Sequence, residues 1–237
     1  MGLAVQEREI VVPGETLASG MDQLPGAGTY REKENIYASR LGIVYLDGRA
    51  VKVIPLSGVY VPKLGDTIVC KVIDITLNGW RLDTNSAYSA MLTLKDATSD
   101  YISRGADLTQ YYALNDYVVC KVVNVTSQML VDVSMREPGL KKLVGGRVVK
   151  VNTNKVPRII GKKGSMVSMI KQATGCRIVV GQNGLVWLSG DMDNEFLALE
   201  AIRLIEQNSH HAGLTGTIKS FLEEKTGKKI VEVEHHE

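Results

Sequence analysis

The sequence predicts a multi-domain chain, mainly β at first and α+β afterwards: a small N-terminal β domain, a five-stranded barrel, and a βααββα segment. Three observations carry this expectation. Short alternating apolar runs broken by Pro-Gly pairs fill Glu9 to Pro62. Two nearly duplicate stretches follow, GDTIVCKVIDIT at Gly65–Thr76 and NDYVVCKVVNVT at Asn115–Thr126. From Gly145 the apolar spacing changes from period two toward the helical period. With 237 residues and 44% apolar composition the chain has material for two or three small cores. The expected boundaries are 1–62, 63–140 and 141–237.

In the first domain, runs such as IYASRLGIVYL and AVKVIPLSGVYV read as strands, and VVPGETL and LPGAGTY read as turns that carry no catalytic group. In the second, Ile68, Cys70, Val72 and Val118, Cys120, Val122 alternate onto one face, with Lys71 and Lys121 on the other, so both cysteines point inward. GWRLDT, SAYSAML and QMLVDVSM bring the count to about five short strands, that of a small Greek-key OB barrel. Such barrels bind single strands on their strand two and three face. Arg81 and Tyr88 on those strands, with Lys95 and Arg104 on the connection beyond, are candidate single-strand contacts. Trp80 stands open between a base-stacking surface and ordinary barrel packing.

In the third, RVVKV reads as a strand, VPRII and SMVSMIKQA as short helices joined by GKKG, and CRIVVG and LVWLSG as strands joined by Gln182-Asn183. NEFLALEAIRLIEQ is a helix with Leu197, Ala201, Leu204 and Ile205 at helical spacing and Asp191 and Asp193 in capping position. LTGTIKSFLEEKTG reads as a further short helix before the charged tail KKIVEVEHHE.

The net charge of +2 conceals a segregation. From Pro138 to Gly190 there are ten basic residues and no acid, whereas 1–137 and 191–237 are mildly acidic. A segment of that charge favours a polyanion, which makes nucleic acid the leading partner class. Cys70, Cys120 and Cys176 form no CxxC pair, so neither a zinc ribbon nor a disulfide framework is expected. No run is long and apolar enough for a membrane span, and the N-terminus lacks secretory and myristoylation patterns, so the expectation is a cytoplasmic chain with no membrane partner. The adjacent histidines at 210–211 and 235–236 diverge from one another, which argues for exposure rather than metal binding. No catalytic constellation, metal site or cofactor site is expected.

RIIGKKGSM, Arg158 to Met166, is the candidate anion site. A phosphate-binding Walker loop would need a glycine five positions before Gly161 or Gly164, and none is there. A dinucleotide fingerprint would need a third glycine and a downstream acid. What remains is a tight turn between two helices in which Gly161 and Gly164 let the backbone approach a phosphate chain while Lys162 and Lys163 straddle it.

VPRIIGKKGSMVSMIKQATGCRIVV resembles a type I KH domain through its Ile-Gly-x-x-Gly turn, the apolar helix after it, and Thr-Gly before the next strand. An S1-type OB barrel followed by a KH domain bearing GxNG (GQNG, Gly181–Gly184), and preceded by VVPGETL and PGAGTY, resembles the exosome cap subunit family called ribosomal RNA-processing protein four, in its compact archaeal form. The resemblance covers nearly the whole chain.

It implies a non-catalytic, RNA-binding cap. In that family three copies sit on a ring of RNase PH-type subunits; the N-terminal domain docks on the ring, the barrels line the pore and the KH domains lie outside. Mixing with the zinc-ribbon cap subunit is left open. Single-stranded RNA would be held by Arg158, Gly161, Lys162, Lys163 and Gly164, together with the barrel residues above, and delivered 3′ end first for phosphorolytic degradation. Gly181, Asn183 and Gly184 match the family signature, yet Asn-Gly is also what a tight hairpin requires, and a structural turn is the favoured role. The alternative functions are a free-standing RNA-binding factor of transcription or translation, and a self-contained nuclease.

Overall fold

The computed structural model describes residues 2–98, 102–103, 105–209 and 213–227, and the chain divides into two units, Met1–Gly58 and Val59–Glu237. Pro-Gly turns fold the first unit into seven short strands: β1 (Ile10–Val11), β2 (Thr16–Ser19), β3 (Leu24–Pro25), β4 (Thr29–Glu32), β5 (Asn35–Ala38), β6 (Gly42–Asp47) and β7 (Ala50–Pro55). They form two sheets, ordered β1-β6-β7-β3 and β2-β5-β4. Between them lie Val11, Leu17, Ile36, Val44, Val51 and Val53. Gly28 is required twice over: its φ is +78°, and a Cβ there would stand 2.6 Å from the Val53 carbonyl oxygen. The outer face of the first sheet carries an apolar row, Ile10 opposite Ile43 opposite Ile54, in which Ile10 and Ile54 are more than half exposed, at 62% and 53%.

The second unit opens with β8 (Thr67–Thr76), β9 (Gly79–Asp83), β10 (Ser89–Thr93), the short helix α1 (Leu94–Ala97), β11 (Tyr117–Val125) and β12 (Val131–Ser134). The ladder runs β12-β10-β9-β8-β11 and closes by pairing β11 with β12, a five-stranded OB-like barrel. Period-two alternation drives Ile68, Cys70, Val72, Leu82, Val118, Cys120 and Val122 into its core. Trp80 joins them, fully buried, with its indole N–H donating to the Tyr112 carbonyl at 3.0 Å and its ring edge-on to Tyr112 at 5.0 Å. Barrel packing, not base stacking, is its role.

The duplicated stretches lie side by side as β8 and β11 and are related by a local dyad. Val69 pairs with Val119, its own counterpart (119 − 69 = 50). The flanking bonds repeat in kind: Gly65 N–H donates to Val122 O and Asn115 N–H to Val72 O, both at 2.9 Å, while Val122 N–H donates to Asp66 O and Val72 N–H to Asp116 O, both at 2.8 Å. Gly65 and Asn115 both have positive φ, +87° and +70°.

After β13 (Lys142–Leu143), which extends the barrel sheet beside β11, the chain forms β14 (Arg147–Lys150), α2 (Val156–Ile160), α3 (Ser165–Thr174), β15 (Arg177–Val180), β16 (Leu185–Ser189), α4 (Met192–Gln207) and α5 (Leu214–Thr226). This is the βααββα order plus one helix. The antiparallel sheet β14-β16-β15 buries Ile178, Val186 and Leu188 against Ile159, Ile170, Ile202 and Ile218 of the helices. The buried stripe of α4 is Ala198, Ala201, Ile202 and Ile205, with Leu197 and Leu204 only flanking it. Asp191 is the N-cap residue but its side chain makes no cap bond; Glu195 reaches back instead to accept from Gly190 N–H at 3.0 Å. The other face of the sheet packs Trp187, with Val148 and Val179, on Val69 and Val119 of the barrel. Those two valines therefore break the expected alternation, because β8 and β11 are covered on both faces.

Candidate nucleic-acid interface

The GKKG turn joins α2 to α3 through a single 3-10 turn at Lys162–Gly164. Gly161 has φ +76°, and a Cβ there would lie 2.7 Å from both the backbone nitrogen and the Cβ of Met166, so the start of α3 packs onto bare backbone. Gly164 has φ +82° with open space where a Cβ would stand. As N-cap of α3 it also offers no side-chain acceptor to the first-turn amides, leaving donors and the positive end of the helix dipole facing outward. Lys163, between the glycines, holds φ 51°, ψ 27°. Lys162, Lys163 and Arg158 are exposed. These five residues form one continuous cationic edge.

Not all of the acid-free segment is available to an anion. The Lys142 ammonium pairs with Asp116 at 2.5 Å, Lys155 donates to the Glu206 carbonyl at 2.8 Å, and the Arg147 guanidinium sits 4.9 Å over the Phe196 ring. The other seven basic residues of the segment are exposed.

The barrel candidates are spread out. Arg81 is exposed on β9 between the inward Trp80 and Leu82, but the register sets Asp74 opposite it. Tyr88, 38% exposed, precedes β10, and Lys95, also exposed, follows it in α1, so the two flank that strand at opposite ends. Arg104, the paired histidines and the tail lie outside the described residues.

GQNG does more than turn the chain from β15 to β16. Gly184 N–H closes the turn on the Gly181 carbonyl at 3.0 Å, and the turn lies along β8 where β9 no longer reaches. Gln182 N–H donates to Thr67 O at 2.9 Å and its side-chain oxygen accepts from Thr67 N–H at 3.1 Å. The fully buried Asn183 accepts from Val69 N–H at 3.3 Å and donates to Val69 O at 2.7 Å and Thr84 O at 2.8 Å. Its carboxamide thus continues the β ladder in place of a missing strand. Asn85 completes the joint by donating to the Asn183 carbonyl at 2.8 Å. Sequence reasoning stopped at the hairpin because Asn-Gly is fully explained by one. Only the reach of the side chain across to the barrel distinguishes Asn183, and Thr84 and Asn85 carried no signal of their own.

A sequence profile for the KH domain matches residues 146–207, and one for the N-terminal region of the exosome complex exonuclease RRP4 matches 10–47. The exosome complex component Rrp4 of Methanothermus fervidus is 40% identical over 221 residues, covering 93% of this chain and 97% of that protein. The chain belongs to the Rrp4 family of exosome components. The Thermoplasma acidophilum member is 39% identical over 226 residues, 94% of this chain and 93% of its own. A crystal structure described as that of a candidate exosome complex RNA-binding protein superposes with a TM-score of 0.63 at 31% identity, over 71% of this chain and 97% of that one. In this Rrp4-family chain the KH match ends on the last residue of α4, so α5 is an addition to it.

Proposed function

We propose that this chain is a non-catalytic RNA-binding cap subunit of an exosome, which holds single-stranded RNA and passes its 3′ end to a phosphorolytic RNase PH-type ring for 3′ to 5′ degradation. The observation that carries the reading is the exposed GKKG edge: two lysines on a turn whose glycines admit a phosphate chain, backed by the uncapped N-terminus of a ten-residue helix. Lys162, Lys163 and Arg158 supply the cations, the first-turn amides of α3 supply directed donors, and the half-buried Ile160 and Val167 beside the turn offer apolar surface to bases. The names borne by the relatives support assembly with an exosome and with RNA. The row of exposed Ile10 and Ile54 with half-buried Ile43 between them is a surface suited to docking on the ring. Three copies per ring, alone or mixed with the zinc-ribbon cap, and a cytoplasmic site complete the proposal.

The test is one experiment with end-labelled single-stranded RNA, phosphate and Mg²⁺. The purified chain alone is expected to leave the RNA intact, and added RNase PH-type subunits are expected to shorten it from the 3′ end. Lys162→Asp with Lys163→Asp is expected to weaken binding and lower the salt slope by roughly 1.4, from roughly 0.7 per phosphate neutralised. Shortening by the chain alone would refute the non-catalytic reading, and an unchanged slope would move the RNA surface to the barrel.

A further inference from the structure

Away from the cationic edge, α3, α4 and α5 enclose an open groove of about 470 Å³ lined by Ala173, Asp193, Phe196, Leu197, Glu200 and Lys225, among others. Ala173 lies near the end of α3 opposite the GKKG turn, roughly 13 Å along the helix axis from Gly164 at about 1.5 Å per residue. Large apolar side chains are exposed in and beside it: Phe196, which lines the groove, is 49% exposed, and Met192, one turn earlier on α4 and outside the lining, is 71% exposed. The Phe196 ring is held by the Arg147 guanidinium stacked on it.

The groove lacks the concentrated positive charge of the RNA edge. Between Asp191 and Gly227 seven acidic side chains stand against three basic ones, and at the groove itself Asp193 and Glu200 face Lys225 and the Arg147 guanidinium on Phe196. The C-terminal ends of α3 and α5, where carbonyls concentrate negative potential, meet at the groove, since Ala173 and Thr226 both line it. Among the described residues neither Asp193 nor Glu200 has a hydrogen-bond or ion-pair partner. On α4 the lining residues Asp193, Phe196, Leu197 and Glu200 follow i, i+3, i+4, i+7, which places two carboxylates roughly 10 Å apart with an apolar floor between them. Lys225 stands on the α5 side, its ammonium 6.0 Å from the centre of the Phe221 ring, so the acidic wall is that of α4.

We propose that this groove docks a basic amphipathic helix of a protein partner, with Lys or Arg at i and i+7 against Asp193 and Glu200 and aliphatic side chains at i+3 and i+4 over Phe196 and Leu197. Helix-in-groove recognition reads that anchor spacing, and the groove volume lies in the range that takes a few large side chains. RNA, repelled by the same carboxylates, is the wrong occupant. The KH region then has two faces: RNA at the start of α3 and a protein helix at its end.

The test uses the full chain and a fluorescein-labelled peptide of about 16 residues, a length at which an isolated helix is marginally stable. It carries Lys at i and i+7, Leu at i+3 and i+4, and Ala or Gln elsewhere, and binding is read by anisotropy. Saturable binding is expected, with Phe196→Ala and Glu200→Lys each weakening it about tenfold or more. The same peptide with Glu in place of Lys is expected not to bind, and the Lys162→Asp, Lys163→Asp chain to bind as wild type does, which separates this site from the RNA edge. Absence of saturable binding, equal binding by the groove variants, or displacement of the peptide by single-stranded RNA would overturn the proposal. So would a sedimentation dimer abolished by Phe196→Ala, since it would make a second copy of the chain the occupant.

Discussion

Lys163 sits in left-handed backbone between Gly161 and Gly164, where a non-glycine residue is disfavoured by roughly 1–2 kcal/mol. Such strain persists where the local conformation serves another purpose, and here it aims a cation out of the turn. Lys163→Gly is expected to relieve it, less the roughly 0.5–1 kcal/mol of extra chain entropy that glycine loses on folding. The net gain is between zero and about 1.5 kcal/mol. Thermal denaturation should show the variant slightly more stable while RNA titration shows weaker binding; a loss of both would mean that the lysine stem packs on the turn. The turn was legible in the sequence because spacing alone excludes the nucleotide loops and leaves Gly-Lys-Lys-Gly between helices. Trp80 was not, since an indole at a strand position suits a core and a stacking platform equally, and its 3.0 Å bond to Tyr112 O is made to a residue 32 positions away.

At the scale of elements, the joint between barrel and KH sheet depends on one carboxamide. Asn183→Asp would turn its two donated bonds, to Val69 O and Thr84 O, into oxygen facing oxygen in a buried site. Each unsatisfied buried group costs about 1–3 kcal/mol, so for two a loss of roughly 2–6 kcal/mol is expected. Calorimetry should then resolve the single transition of the second unit into two; one transition at an unchanged temperature would count against the joint. The alternation that located the barrel core also hid this contact, because it sets Val69 and Val119 on the face shared with Lys71 and Lys121. The clue lay in Ile68-Val69-Cys70 and Val118-Val119-Cys120, three apolar residues in a row, which mark strands covered on both faces. Similarly, the stripe of α4 runs through Ala198 and Ile202 rather than Leu197 and Leu204, because Leu outweighs Ala in apolarity while Ala198 allows the closer approach.

For the whole molecule, the barrel carries an alkaline liability. Burial holds the Tyr60 hydroxyl well above its ordinary range, aided by its 2.7 Å bond to Asp66, and burial together with Cys120 raises the Cys70 thiol. Both groups keep their protons in the folded chain at pH values where the unfolded chain has released them, so stability is full below the unfolded pKa values and falls as pH rises. The decline should begin near pH 8.5 with the thiol and steepen near pH 10 with the phenol, following their unperturbed values of about 8.5 and 10. Urea midpoints between pH 7 and 11 test this. Tyr60→Phe is expected to lose about 1 kcal/mol at neutral pH and to show a shallower decline above pH of about 10; an unaltered slope would exclude the phenol.

The local dyad through Val69 and Val119 has a consequence for self-association. A symmetric pair of strands offers two equivalent rims of unpaired peptide groups, each a template for a foreign strand. In this chain one rim is closed by Gln182 and Asn183 at Thr67 and Val69. The other is closed by Lys141, which accepts from Val119 N–H at 2.9 Å. Both stoppers come from sequence beyond the barrel's last strand. A barrel cut free at residue 140 would therefore leave both rims open, and the smallest piece suited to separate expression is 59–227.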